Sequence, residues 1–273
     1  MFRYSIITVN LNNALGLEQT IQSVIAQTYK NYEFIIIDGG SRDGSWGIIE
    51  KYASYIKYWV SEKDKGIYNG MNKGILVAHG DYCIFMNSGD TFYNEKVLQH
   101  IEYACLQEDI CCGDICYGQN HIIPNPENVT MRTFYKHSLF HQASFIRTSL
   151  FKNHLYDEGL ESAADWKWFV EVLVFENASY RHIPLVVARY AGGGLSEKYP
   201  EIGQGEIEKE LKSWFPERIL QDYEDYVFGC TPYRRMMNGI EQVPFLKKNI
   251  YKLNKIILKI LNLKWKAEWI KKI

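Results

Sequence analysis

Short apolar runs separated by polar, helix-like stretches dominate the N-terminal third of the chain. Each run is rich in β-forming residues and is bounded by turn-forming residues, which is typical of buried strands. The predicted strands are 5–9, 32–37, 58–60 and 82–86. Apolar residues between them recur at helical spacing, and the predicted helices end near Gln27, Tyr55 and Ala78. Strands that alternate with helices predict a mostly parallel sheet with right-handed crossovers.

Polar, glycine-rich turns follow the predicted strands at their carboxyl ends. Open α/β sheets bind ligands at this edge, so the side chains that end the strands should converge there. These side chains are Asn10, Asp38, Asp64 and Asp90. In the stretch 87–90 an acid lies beside a glycine that would let a diphosphate approach, which suits a hard cation. The alternative is a plain strand-to-helix turn that Asp90 caps.

The second half of the sequence, from Cys116 onward, has a less regular pattern. Residues 140–146 are predicted as a strand that carries His141, which is either a ligand contact or an ordinary core residue. A helix is predicted over 166–175. Asp165 lies at its N-terminus, where the helix dipole favours an ionised carboxylate and where an acid can also serve simply as the cap.

A predicted strand at 185–190 leads into the loop 191–196, which contains three consecutive glycines. This loop is either a lid that closes over a ligand or a bland surface loop. Further along, residues 203–228 have the pattern of acidic and aromatic helices.

The C-terminal residues 247–273 form a basic, amphipathic segment. They contain nine lysines and a single acid, a net charge of +8, so the other 246 residues carry a net charge of −9. An acidic body does not attract nucleic acid through its overall field. We expect the segment to lie as a helix in an anionic membrane surface, or alternatively to dock on the acidic body.

Composition limits the remaining classes of protein. The 273 residues are 47% hydrophobic, which is enough for a full core. The six cysteines show no CxxC spacing, so we expect reduced thiols and no zinc site. The sequence shows no signal-peptide pattern and no apolar run of about 18 residues or more. These features predict a cytoplasmic protein, peripheral to the inner face of the membrane if the basic segment binds there.

Six motifs occur in a fixed order along the chain. They are Ile6–Asn10, Ile36–Gly44, Asp64–Gly74, Gly80–Asp90, Phe140–Ala143 and Ala164–Trp166. In this order and spacing they resemble the family 2 glycosyltransferases with the GT-A fold, over about residues 3–195. A Rossmann dehydrogenase is disfavoured, because no GxGxxG follows the first strand.

The resemblance implies a nucleotide-sugar donor, Mg²⁺ or Mn²⁺ as the cofactor, and a base that deprotonates the acceptor. Asp90 would hold the metal against the leaving diphosphate, and Asp165 would be the base, with Glu161 a weaker candidate. The positions that match donor-binding positions of the family are Thr8, Asn10, Asp38, Ser41, Asp64, Gly66, Tyr68, Asn72, Lys73, Asn87, Ser88, Gly89 and His141.

The sequence also departs from the family pattern at four positions. Asn87 and Gly89 replace acids of the commoner metal-binding motif, which weakens the expected affinity for metal. Gly39 replaces a second acid beside Asp38, so the nucleobase is left open. Ala164 stands where many relatives have an acid next to the base.

The sequence therefore predicts a metal-dependent, inverting glycosyltransferase. Its donor would be a nucleotide sugar, UDP-linked by family frequency, and its acceptor a glycan or lipid-linked saccharide of surface polysaccharide biosynthesis. Two alternatives remain, a sugar-nucleotide nucleotidyltransferase and a non-catalytic nucleotide-sugar-binding relative. We predict a nucleotide-sugar-binding half at 1–115, an acceptor-binding half at 116–200 and a helical, basic extension at 201–273.

Overall fold

The computed structural model describes residues 2–104, 106–118, 120–228, 231, 236–237, 239–240 and 243–260. Contacts divide the chain into two units, Met1–Trp214 and Phe215–Ile273. The predicted division into three segments remains a prediction.

The first unit begins with the alternation of strands and helices that the sequence predicts. Its strands are β1 Tyr4–Asn10, β2 Tyr32–Asp38, β3 Tyr58–Ser61, β4 Tyr82–Phe85, β5 Thr91–Phe92, β6 Ile110–Tyr117, β7 His121–Ile123, β8 Ser144–Arg147 and β9 Tyr180–Tyr190. Its helices are α1 Ala14–Ile25, α2 Ser45–Lys51, α3 Ile67–Leu76, α4 Val97–Tyr103, α5 Met131–Lys136, α6 Ala164–Val170, α7 Leu195–Lys198 and α8 Pro200–Trp214.

The described strands form a single mixed sheet in the order β3-β2-β1-β4-β8-β6-β9-β5, with β7 paired to β6. Strands β1 to β4 are parallel to their neighbours within this group, and β6 is parallel to β9. Strand β8 runs antiparallel to both β4 and β6, so the carboxyl ends of β4 and β6 face the same edge. A mixed, mostly parallel sheet flanked by helices confirms the predicted fold class.

Helices cover both faces of the sheet close to β1. On one face α1 contributes Leu17, Ile21 and Val24 to the core, and all three are fully buried. On the other face α3 approaches β1 closely through glycine. A Cβ atom at Gly74 would lie 2.4 Å from Ile7 Cγ2, so any larger residue would push α3 away from the sheet. This close approach brings the start of α3 to the edge where the parallel strands end.

Predicted elements of the second half differ in part from the structure, and the strand predicted at 185–190 already begins at Tyr180. The strand predicted over 140–146 is wrong in its first part, because His141–Ala143 form a 3₁₀ turn and β8 begins at Ser144. The backbone N–H of Ala143 and the hydroxyl of Ser144 both donate to the carbonyl of Phe140, which closes this turn. The predicted helix over 166–175 begins at Ala164, and its last five residues form a π turn.

The second unit contains the helices α9 Glu217–Phe228 and α10 Pro244–Ile260. Helix α10 contains the first part of the predicted amphipathic segment, whereas its remainder, 261–273, lies outside the described residues. Within the part of the chain that the structure describes, no helix is both long and apolar enough to cross a membrane.

Candidate active site

The ends of β1 and β2 meet in a hydrogen-bonded cluster around Asp38. Strands β1 and β2 are in register there, with Asn10 opposite Asp38. The Asp38 carboxylate accepts hydrogen bonds from the Asn10 amide at 2.7 Å, from the Ser61 hydroxyl at 2.6 Å and from the hydroxyl and backbone N–H of Ser41. Asn10 and Asp38, two of the four strand-end residues predicted to converge, therefore meet at this edge. Ser41 and Ser61 complete the cluster.

The electrostatics of this cluster keep Asp38 ionised. Burial favours the neutral acid, but the hydrogen bonds from Ser41, Ser61 and Asn10 outweigh it, so the pKa of Asp38 is lowered. The side-chain oxygen of Asn10 is buried and has no hydrogen-bond partner among the described residues. Such an atom is costly unless a donor group reaches it, so it is available to a ligand with N–H or O–H groups, such as a nucleobase.

The position of the Asp64 side chain explains why residue 39, next to Asp38, is a glycine. A Cβ atom at Gly39 would lie 2.5 Å from Asp64 Oδ2. The Asp64 carboxylate thus occupies the space that a side chain at position 39 would need. It also accepts the backbone N–H of Gly66, which precedes α3 at φ +129°. The structure brings Asp64 and Gly66 to the cluster. The acid next to Asp38 is therefore Asp64, and residue 39 contributes none.

Asp90 lies at the same edge and is 5% exposed. Its Oδ1 accepts the backbone N–H of Ala191 at 2.9 Å, so the loop after β9 passes over it. Burial raises the pKa of Asp90 to about 6, although the Ala191 N–H and the charge of His141 lower it in part and Glu197 adds to it. An ionised Asp90 is therefore unfavourable until a cation compensates its charge.

A single carboxylate fits the donor set of Mg²⁺ or Mn²⁺ in a phosphate site, because waters and substrate phosphates supply the remaining ligands. Among the residues that the structure describes, no three His, Cys, Asp or Glu side chains cluster around a point where a metal could bind. The fit to a divalent cation thus rests on Asp90, whose second carboxylate oxygen is left for it.

The turn that precedes Asp90 is shaped by Gly89 and Asn87. Gly89 has φ +108° and a Cβ there would lie 3.2 Å from Ala191 Cβ, so glycine is needed both for the conformation and for the space. Asn87 Nδ2 lies 3.4 Å from His141 Nε2, and its Oδ1 is buried without a partner in the described structure. The Ser88 carbonyl accepts from Asn13, the cap of α1.

Asp165, the predicted base, is bound by groups from three parts of the chain. The hydroxyl of Tyr68, in α3, lies 3.0 Å from Oδ1, and the backbone N–H of Trp166 donates to the same oxygen at 2.9 Å. His141 Nδ1 lies 3.0 Å from Oδ2. Burial raises the pKa of Asp165, but the hydrogen bond and charge of His141 and the bond from Tyr68 outweigh it, so the pKa is lowered. Asp165 is therefore ionised at neutral pH.

The contact between His141 and Asp165 also raises the pKa of the histidine. Burial lowers the pKa of His141, but the hydrogen bond to Asp165 and the charges of Asp165 and Asp90 outweigh it and raise it. Through Asn87 and His141, the turn that carries Asp90 is connected to Asp165.

Three of the predicted donor-binding residues make their contacts with other parts of the protein. The buried Thr8 donates to the carbonyl of Met86 at 2.7 Å and so joins β1 to the end of β4. Asn72 is 3% exposed and makes hydrogen bonds with Tyr156 and Glu158, which fasten the segment before α6. Lys73 forms an ion pair with Glu62 at 2.6 Å. The structure does not bring these side chains into the cluster around Asp38, and their contacts with a donor remain predictions.

Glu206 of α8 is a residue that the sequence analysis missed. Its carboxylate accepts the backbone N–H groups of Glu161, Ser162 and Ala163 at 2.7, 3.0 and 2.9 Å, so it fixes the segment that leads into Asp165. Glu161, the alternative base, has an exposed side chain. A glutamate on a helix beyond the motifs gives no local signal of this contact.

Polar groups cluster at the carboxyl edge of a mixed α/β sheet, with one buried acid beside a glycine turn and another in the first turn of a helix. This edge is where α/β proteins bind nucleotides. The profile of the family described as "Glycosyl transferase family 2" matches residues 5–163. The chain belongs to this family and is a glycosyltransferase.

Curated relatives agree with this assignment. An uncharacterized glycosyltransferase of Mycobacterium tuberculosis is 33% identical over 187 residues, which cover 65% of this chain and 71% of the relative. A cholesterol galactosyltransferase of Borreliella burgdorferi is 31% identical over 170 residues, which cover 58% of this chain and 47% of the relative.

Solved structures confirm the GT-A fold. Staphylococcus aureus TarS 1–349 in complex with UDP-GlcNAc has a TM-score of 0.64 at 18% identity, over 91% of this chain and 78% of that one. The mannosyltransferase PcManGT from Pyrobaculum calidifontis, in complex with GDP-Man and Mn²⁺, has a TM-score of 0.61 at 13% identity, over 87% of this chain and 73% of that one. At these identities the likeness shows the fold alone.

Proposed function

We propose that this glycosyltransferase is metal-dependent and inverting, and that it moves a sugar from a nucleotide sugar, UDP-linked, to a glycan or lipid-linked saccharide. The proposal rests on two carboxylates of the site, Asp90 and Asp165, whose pKa values are shifted in opposite directions. Burial raises the pKa of Asp90, which suits a cation, whereas hydrogen bonds lower the pKa of Asp165 and keep it charged.

The nucleoside would lie against the cluster of Asn10, Asp38, Ser41 and Asp64. The orphan oxygen of Asn10 supports this placement, because a base or ribose donor can satisfy it. The diphosphate would lie beside Gly89 and Asp90, where the turn has no side chain to obstruct it. A cation held there by Asp90 supplies charge neutralisation for the leaving diphosphate.

Asp165 would act as the general base. Its carboxylate takes the proton of the acceptor hydroxyl while that oxygen bonds to the anomeric carbon, and the bond from this carbon to the diphosphate breaks, with its electron pair leaving on the diphosphate. A single displacement of this kind inverts the anomeric carbon. The relative named as a cholesterol galactosyltransferase is consistent with an acceptor that is anchored in or near a lipid surface.

The basic segment 247–273 would bind the anionic inner face of the membrane and hold the enzyme near such an acceptor. Helix α10 supports this, since Lys248 and Lys252 recur at helical spacing along it. The cytoplasmic location and surface-polysaccharide biosynthesis belong to the same proposal.

A transfer assay with variants tests the proposed roles. With a panel of UDP- and GDP-sugars and a saccharide acceptor, Asp165→Asn should reduce kcat by about 10²–10⁴-fold while donor binding persists. Asp90→Asn should abolish both turnover and the gain in nucleotide affinity that Mn²⁺ gives. Asp114→Asn is the matched control, because Asp114 also accepts from a histidine, His182, at 2.7 Å. Full activity of Asp165→Asn would exclude Asp165 as the base, and a retained anomeric configuration would exclude inversion.

A further inference from the structure

The carboxylate of Asp165 has few free positions for a proton. A carboxylate offers about four lone-pair sites, two on each oxygen. Oδ1 is approached by the hydroxyl of Tyr68 and the N–H of Trp166, and Oδ2 by His141 Nδ1. One site remains, and it lies on Oδ2. The direction in which this site points is set by the bond that His141 makes to the same oxygen.

The surroundings of His141 fix which ring nitrogen faces Asp165. Nε2 lies 3.4 Å from the Asn87 amide, and Nδ1 lies 3.0 Å from Asp165. Because an ionised carboxylate only accepts, Nδ1 must carry a proton in this arrangement. The ring is anchored in a 3₁₀ turn whose next residues, Gln142 and Ala143, are buried, so it has little freedom to turn away.

We propose that His141 is a positioning residue that holds Asp165 through Nδ1–H and so presents the last free lone pair of Oδ2 to the acceptor hydroxyl. This inference rests on the proposed role of Asp165 as the base. It assigns His141 to the acceptor side of the reaction, whereas the family resemblance left it as a contact of donor or acceptor.

The groups that face His141 define what a pH experiment will report. Nδ1 faces Asp165, which Tyr68 also contacts, and Nε2 faces Asn87. The charges of Asp165 and Asp90 both act on the ring. The hydroxyl of Tyr156 is buried without a partner among the described residues, and this burial, together with the charge of Asp165, raises the pKa of Tyr156. Loss of the Nδ1–H bond removes a group that lowers the pKa of Asp165.

Two substitutions separate positioning from space filling. In His141→Asn the amide nitrogen takes the place of Nδ1, so the bond to Asp165 can persist. In His141→Gln the amide takes the place of Nε2 and faces Asn87 instead. We expect His141→Asn to keep kcat within about tenfold of wild type, and His141→Gln to lose about a hundredfold or more with little change in the donor KM.

The pH profile gives a second readout. With saturating Mn²⁺, the acidic limb of kcat/KM should move to higher pH in His141→Gln and stay near wild type in His141→Asn. His182→Asn is the matched control, because His182 also bonds an aspartate but lies away from Asp165, and it should leave the profile unchanged.

Equal kcat values for the two His141 variants, or an unmoved acidic limb in His141→Gln, would overturn the positioning role. If His141→Gln does not fold, a folded His141→Asn that loses more than about a hundredfold in kcat overturns it, and one within tenfold supports it. Full activity of Asp165→Asn would instead refute the base itself, so failure of the proposed function is distinguishable from failure of this inference.

Discussion

Asp90 should make the metal-free enzyme less stable at neutral pH than a variant that lacks the charge. The residue is 5% exposed, and burial raises the pKa of its carboxyl to about 6. The ordinary value for aspartate is about 3.9, so the shift is about two units, and each unit is worth about 1.4 kcal/mol. Ionising Asp90 in the folded protein therefore costs on the order of 3 kcal/mol.

The sign of the pH dependence follows from the direction of the shift. A raised pKa means that the folded state binds the proton more tightly than the unfolded state. The contribution of Asp90 to stability is therefore full below about pH 4 and is lost as the pH rises through about 6. Asp90→Asn removes this loss, and the amide oxygen can still accept the Ala191 N–H.

We expect Asp90→Asn to be up to about 3 kcal/mol more stable than wild type at pH 8 in chelator, and nearly equal to it at pH 4. For a unit of this size that difference raises Tm by about 6–12 °C. Urea denaturation at both pH values, with Asp114→Asn as the control, measures it. In the presence of UDP, addition of Mn²⁺ should stabilise wild type further and should not stabilise the variant further.

A stability gain of Asp90→Asn that is the same at pH 4 and pH 8 would refute the charge as its cause. A variant that is less stable than wild type at pH 8 would refute the buried, uncompensated carboxylate altogether. Stabilisation of the variant by Mn²⁺ and UDP equal to that of wild type would remove Asp90 from the metal site.

Three further predictions concern the site and its surroundings. Glu206→Ala should lower the free energy of unfolding by about 2–4 kcal/mol and also reduce kcat, because three backbone N–H groups before Asp165 lose a charged acceptor; denaturation and the transfer assay measure both. Gly39→Asp should weaken UDP binding, measured by calorimetry, because its side chain would meet Asp64. A chain that ends at Pro244 should lose salt-sensitive co-sedimentation with anionic vesicles while it remains folded.

Each of these predictions has an outcome that contradicts it. Wild-type stability and kcat in Glu206→Ala would show that the segment before Asp165 does not depend on the hydrogen bonds to Glu206. Glu206→Gln, which keeps an oxygen acceptor without the charge, is the milder comparison. The double variant Gly39→Asp/Asp64→Gly should recover the UDP binding that Gly39→Asp loses. If it does not, the clash with Asp64 is not the cause of the loss. Equal vesicle binding by full-length and shortened chains, or unfolding of the shortened chain, would favour docking of the segment on the protein.

The sequence alone determined the part of the site that is built from local pattern. Short apolar runs bounded by turns predicted β1 to β4, and parallel strands bring their carboxyl ends to one edge. The positions of Asn10, Asp38, Ser41 and Asp90 at this edge follow from that rule, because each lies within a few residues of a strand end. The six ordered motifs likewise led to the glycosyltransferase family that the profile match confirms.

Only the tertiary structure decided which polar side chains have partners elsewhere. Thr8, Asn72 and Lys73 match family positions, but their hydrogen bonds go to Met86, to Tyr156 and Glu158, and to Glu62. The first part of the strand predicted over 140–146 is a 3₁₀ turn, because the Phe140 carbonyl accepts two hydrogen bonds that a periodicity rule does not detect.

The environment of Asp165 shows why sequence patterns do not predict the partners of a buried polar side chain. Its partners Tyr68 and His141 are 97 and 24 residues away, and Glu206 reaches the segment before it from α8. Contacts over such separations depend on how α3, the turn before β8 and α8 pack on one another. Hydrophobic period and turn residues fix each element locally, whereas the partner of a buried carboxylate, and hence its pKa, is set by side chains that only the packed fold brings together.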